Sequence, residues 1–159
     1  MTSRRSNRLR HNGRNRTFRL NYAHAKILGL LLAYQSPRDF VTGQAIDIPH
    51  ALAWQNAKEF HHFFLQAYLK SIGVSTSKAS ALANMVYLSS ASNKAISDRA
   101  PADYLKELLA KNEQQTREWL ATNLIENDAI NAALANDYAA FLGARSETID
   151  REARRLAGW

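Results

Sequence analysis

Cysteine is absent from the 159-residue chain, which excludes structural disulfides and thiolate metal sites and leaves the redox compartment weakly constrained. Proline and glycine are scarce, at three and six residues, so fibrous and linker-dominated architectures are excluded as well. No apolar run approaches the roughly 20 residues that span a bilayer. The run Ile27 to Ala33 follows a basic leader and faintly imitates a signal peptide, but that leader is too long and no small-x-small cleavage site follows. The expectation is a soluble cytoplasmic protein, with one hydrophobic core rather than two at this length.

Acidic residues are missing from residues 1 to 19, which carry Arg4, Arg5, Arg8, Arg10, Arg14, Arg16 and Arg19. Residues 20 to 159 hold fourteen basic and fourteen acidic side chains, so the whole net charge of +7 sits in this arm. With almost nothing apolar to bury, residues 1 to 19 are expected to form a disordered arm able to neutralise nucleic-acid phosphates. A solubilising tail is the competing reading.

Helical spacing of Tyr22, Ala25, Leu28, Leu31 and Leu32 predicts a core helix from Asn21 to Tyr34, stopped near Pro37. Turn residues Ser36 to Gly43 and Asp47 to His50 precede a short helix expected over Leu52 to Lys58. Phe60, Phe63 and Phe64 around two histidines favour a strand, and Met85 to Leu88 a second, separated by a looser stretch with Gly73 and the Ser/Thr cluster Ser75 to Ser80. Helix signals return from Ser92. Pro101 suits the first position of a helix over Ala102 to Ala110, and further helices are expected near Glu113 to Ile125, Asp128 to Leu142 and Ser146 to Leu156. The fold class expected is α+β: mainly helical, with a small hairpin-and-helix insert over about residues 59 to 100. An isolated hairpin is marginal in water, so the insert must pack on helices or hold a ligand.

The insert concentrates the candidate chemistry in Glu59-Phe60-His61-His62, in Asn84 before the second strand, and in Asn93-Lys94-Ala95-Ile96-Ser97-Asp98-Arg99-Ala100-Pro101. Adjacent strand residues face opposite sides, so two neighbouring histidines cannot serve one small site in an ideal strand unless it bends or ends there. A division of labour fits: one imidazole binds a metal while the other accepts a proton from water.

This order, His-His, then Asn entering an apolar strand, then Asn entering a helix, resembles the HNH nucleases with their ββα-metal fold. Residues 59 to 105 are similar to the C-terminal nuclease domain of GmrSD-type restriction proteins, and the HNH domain of RNA-guided CRISPR effectors resembles them more distantly. Pro37-Arg38-Asp39-Phe40 with Thr42-Gly43, and Phe141-Leu142-x-x-Arg145 onward, extend the resemblance over about residues 22 to 157. It implies an HNH nuclease domain over 20 to 159, behind the arm at 1 to 19, that hydrolyses DNA phosphodiesters in restriction or phage defence. His62 would be the general base, His61 and Asn93 the metal ligands, and Asn84 the brace for the loop that orients His62. An amide ligand favours Mg²⁺ or Mn²⁺ over Zn²⁺ or Ni²⁺. Glu59 would orient His61, and Lys94 and Arg99 would touch phosphate, although solvated surface roles suit these three equally. DNA is the expected partner, with an upstream sensor or nucleotidase domain or subunit beside it, since nothing in these residues could supply that sensing. Leu65 departs from the proline usual in the family.

Two other readings stand beside the DNA nuclease. A non-catalytic, basic-armed helical protein could bind nucleic acid or a partner, and an HNH enzyme could act on RNA. Taken alone, Asn84 could be a turn residue and Asn93 a helix N-cap. His24 reads as a helix-face residue and His50 as a loop residue, while Trp54, Trp119 and Trp159 read as packing residues.

Overall fold

The computed structural model describes residues 23 to 47 and 60 to 158. The expected arm, the helix over Leu52 to Lys58, His50, Trp54, Glu59 and Trp159 lie outside these residues. Eight helices and a two-stranded antiparallel sheet are found among the described residues: α1 (Ala23–Tyr34), β1 (Phe60–His62), α2 (Gln66–Ser71), α3 (Thr76–Ala79), β2 (Met85–Tyr87), α4 (Ser90–Ile96), α5 (Pro101–Lys111), α6 (Glu113–Ala121), α7 (Asn127–Leu134) and α8 (Tyr138–Ala157). The broad class is α+β, mainly helical. None of these helices is long and apolar enough to cross a membrane.

β1 and β2 pair in the register Phe60 to Tyr87, His61 to Val86 and His62 to Met85. Because strand side chains alternate, β2 divides the interior. Met85 and Tyr87 join Phe60, Leu28, Leu31, Leu32 and Leu124 in one apolar cluster, whereas Val86 and Leu88 join Phe40, Phe63, Phe64, Leu105, Ile125 and Phe141 in the other. α1 supplies the first cluster from its buried face, and α8 contributes Phe141 to the second. Burial on both faces gives a marginal hairpin its stability.

Local chemistry explains where elements begin and end. Pro101 occupies the first turn of α5, and Ser89 caps α4 by accepting from the Ser92 amide at 3.1 Å. The Asn93 amide donates to the Ser89 carbonyl at 2.9 Å, so Asn93 lies within the helix and is not its cap. The serine-rich stretch expected to be loose holds α3, with Ser75 as its N-cap. Residues 128 to 156 break elsewhere than expected. Asn136 takes a left-handed φ of 54° and Asp137 caps α8, while Gly143, where the break was expected, is buried inside α8.

Candidate active site

The end of β1 is pinned residue by residue. His62 is followed by Phe63, whose amide donates to the Asn84 carbonyl at 2.8 Å, and by Phe64, whose amide donates to Asn84 Oδ1 at 2.8 Å. Asn84 Nδ2 in turn donates to the carbonyls of Phe64 and Ala79 at 3.0 and 2.9 Å. The Tyr104 hydroxyl donates to the Phe63 carbonyl at 2.7 Å, and the Phe63 ring lies parallel to that of Phe141 with centroids 4.8 Å apart. Asn84 is fully buried. Four of these five hydrogen bonds fall on the two residues after His62, so the strand ends there in a fixed geometry.

His61 and His62 alternate across β1, and both keep partial exposure. His62 shares the face of Phe60, opposite Met85, and its Nε2 lies 3.2 Å from the Gln66 amide nitrogen. If that amide donates, Nε2 accepts and the imidazole carries its proton on Nδ1. Burial, reinforced by the neighbouring His61, pulls the His62 pKa down from 6.5 to about 4. The ring is therefore neutral at pH 7, the state a proton acceptor requires.

Asn93 is half-buried on α4, and its side chain makes no hydrogen bond among the described residues. Lys94 beside it is exposed. Arg99 makes a bidentate pair with Glu107 on α5, at 3.0 and 2.5 Å, so a phosphate would have to compete with that carboxylate. Among the described residues no three His, Cys, Asp or Glu side chains gather as a metal cluster. One imidazole and one amide suit a hard, oxygen-preferring cation that keeps most of its shell as water or phosphate oxygen, and suit a closed structural site poorly.

Two buried polar residues near the hairpin belong to the stretches that carry the resemblance, but no role for them is read in sequence. Asp39, 1% exposed, accepts from the amides of Val41, Thr42 and Ser89 at 2.9, 3.2 and 3.2 Å. Burial raises its pKa, but the hydrogen bonds of the Ser89 and Ser92 side chains and of the Val41 and Thr42 amides outweigh it and hold the carboxyl below its ordinary value. Asp39 thereby anchors Ser89, the cap of α4, whose carbonyl accepts from the Asn93 amide to close the first turn. The second is Arg145, 0% exposed, which donates to the carbonyls of Ala83 and Asn123 at 2.8 and 2.9 Å. Burial pulls its pKa down to about 9. The available signal was periodicity, since Phe141, Arg145 and Thr148 share one buried face of α8.

A cavity of about 480 Å³ between α6, α7 and α8 lies apart from the histidines and is lined by Arg117, Glu126, Ile130, Glu147, Thr148 and Arg151, among others. Its arginines are engaged with Glu113 and Glu126, so its chemistry is that of surface ion pairs. No family model, curated protein or solved structure matches the chain.

Proposed function

We propose that this protein is a divalent-metal-dependent HNH endonuclease that hydrolyses DNA phosphodiester bonds, acting in the cytoplasm in restriction or phage defence. The observation that carries the reading is the half-buried His62 imidazole, placed directly before a turn that Asn84 locks by three side-chain hydrogen bonds. His62 accepts the proton of the attacking water. With the ring proton on Nδ1, the accepting nitrogen is Nε2, so the Gln66 amide marks the place of the attacking water and must give way to it. His61 and Asn93 hold the ion, Mg²⁺ or Mn²⁺ in preference to Zn²⁺ or Ni²⁺. When bound, that ion supplies charge stabilisation to the scissile phosphate and the departing 3′ oxygen. Lys94 is free to meet the DNA backbone, and an upstream sensor or nucleotidase module would supply target choice.

Nicking of supercoiled plasmid across a panel of Mg²⁺, Mn²⁺, Zn²⁺ and Ni²⁺, with EDTA controls, tests the reading. Cleavage by the wild type that EDTA abolishes, and that His62→Ala reduces by about 10²- to 10⁴-fold, is the expected result. DNA binding without metal-dependent cleavage would replace the endonuclease with a non-catalytic nucleic-acid-binding protein, and cleavage confined to RNA would change the substrate.

A further inference from the structure

Arg145 is an expensive residue to bury. Its guanidinium is withdrawn from water entirely, no acidic side chain pairs with it among the described residues, and its Nε finds no hydrogen-bond partner there. An apolar side chain of similar length would fill the same volume without the cost of desolvating a charge. What the arginine adds is two directed donors. One Nη reaches the carbonyl of Ala83, in the single helical turn that ends at Asn84, and the other reaches the carbonyl of Asn123, just beyond α6.

Both acceptors adjoin the hairpin. Asn84 follows Ala83 directly and carries the hydrogen bonds to Phe64. Asn123 uses its side chain to accept from the Tyr87 amide at 3.0 Å and to donate to the Arg38 carbonyl at 2.9 Å. β2 runs from Met85 to Tyr87, so one guanidinium on α8 governs the residues that grip both ends of the strand.

We propose that Arg145 is a positioning residue for the hairpin site, fixing the Ala83 and Asn123 carbonyls so that Asn84 and Asn123 hold β2, and through it the turn after His62, in catalytic register. This deepens the endonuclease reading and rests on it for its catalytic part. The effect is transmitted through backbone, since Arg145 faces the interior and does not reach DNA or the ion. Supporting groups of this kind commonly affect activity by about 10- to 100-fold, because small misplacements of a reacting group are costly.

The full chain and its Arg145→Met and Arg145→Lys variants decide the matter through amide hydrogen exchange and steady-state cleavage. In folded Arg145→Met, protection of the Phe64 and Tyr87 amides should fall at least about tenfold relative to amides of α5, and turnover at saturating DNA should fall about 10- to 100-fold with KM within about twofold. Arg145→Lys keeps a charge and can reach one carbonyl, so it should recover part of both losses. Unchanged Phe64 and Tyr87 protection in either folded variant overturns the proposal, as does a uniform loss of protection with unchanged turnover, which would make Arg145 a stability device alone. Should Arg145→Met fail to fold, Arg145→Lys is read by the same criteria, and wild-type turnover with wild-type protection in it overturns the proposal. If the wild type does not cleave, the endonuclease reading fails, and the exchange data still decide whether Arg145 sets the Asn84 turn.

Discussion

Asn84 and Phe64, twenty residues apart, are joined by two hydrogen bonds between a side-chain amide and a backbone peptide: Oδ1 accepts the Phe64 N–H at 2.8 Å and Nδ2 donates to the Phe64 carbonyl at 3.0 Å. The side chain imitates one rung of a β-ladder where the strand itself has ended. Asn84→Ala leaves the Phe64 amide and carbonyl buried without their partner and the Ala79 carbonyl with only the 3.3 Å contact of the Tyr138 hydroxyl, a loss of roughly 3 kcal/mol. Asn84→Asp should do no better, because it turns an oxygen toward two carbonyls. Urea denaturation measures both, and a loss below about 1 kcal/mol in each would mean that the turn is held by apolar packing instead.

The pH dependence of stability follows from His62. Its folded pKa is lowered from 6.5 to about 4, so as pH falls below about 6.5 the unfolded chain binds a proton that the folded protein refuses. Stability is full above about pH 6.5 and declines as pH drops toward 4, by on the order of 2 to 3 kcal/mol from this group. The wild type should lose more stability between pH 7.5 and 4.5 than His62→Gln does. Parallel losses in the two proteins would show that the ring is not protected from protonation.

For the ion, His61→Ala and Asn93→Ala should each weaken Mg²⁺ and Mn²⁺ binding, with raised Mn²⁺ partly restoring cleavage. Titration calorimetry on the full chain measures this directly. Both variants binding the ions as tightly as the wild type would move the site elsewhere.

Residues 1 to 19 hold seven arginines and no acid while the remaining chain is formally neutral. Their removal should flatten the salt dependence of DNA binding: an arm engaging about four phosphates contributes a slope of roughly −3.6 to log K against log salt. KM should rise while turnover at saturating DNA changes little. An unaltered slope after truncation would place the DNA-binding surface in the body.

The helices that were legible in sequence are those whose signals are local. Pro101 at the start of α5, and Leu28, Leu31 and Leu32 along α1, announce themselves through backbone preference and spacing. The hairpin was legible from its aromatics, although each strand is three residues long because Asn84, and not a continued ladder, satisfies Phe63 and Phe64. The stretch Ser75 to Ser80 misled because serine serves loops and helix caps alike, and here Ser75 caps α3. The break expected between Leu142 and Ser146 is absent because tertiary burial carries α8 through it, while the true break at Asn136 uses a left-handed asparagine whose Oδ1 accepts from the Ala102 amide at 3.0 Å. Of the candidate site, residue types and order could be read in advance. The roles of Asp39, Asn123 and Arg145 could not, since the partners that define them lie 50, 36 and 62 residues away in the chain.

The division of the interior by β2 has a consequence for how uniquely this chain can fold. A strand with one wet face is policed by hydrophobicity, because sliding it by one residue would expose its apolar set. β2 has no wet face: Met85, Val86 and Tyr87 are all buried, and Leu88 after them. A slip by one position would therefore trade one greasy face for another at little cost in transfer energy, leaving oil and water indifferent between alignments. What distinguishes the correct alignment is polar, carried by the amides of Asn84 and Asn123 at the two ends of the strand and by the cation behind them. Substitutions among Met85, Val86 and Leu88 that preserve volume should accordingly be forgiven, whereas the polar residues act as the molecule's ruler and leave no such latitude.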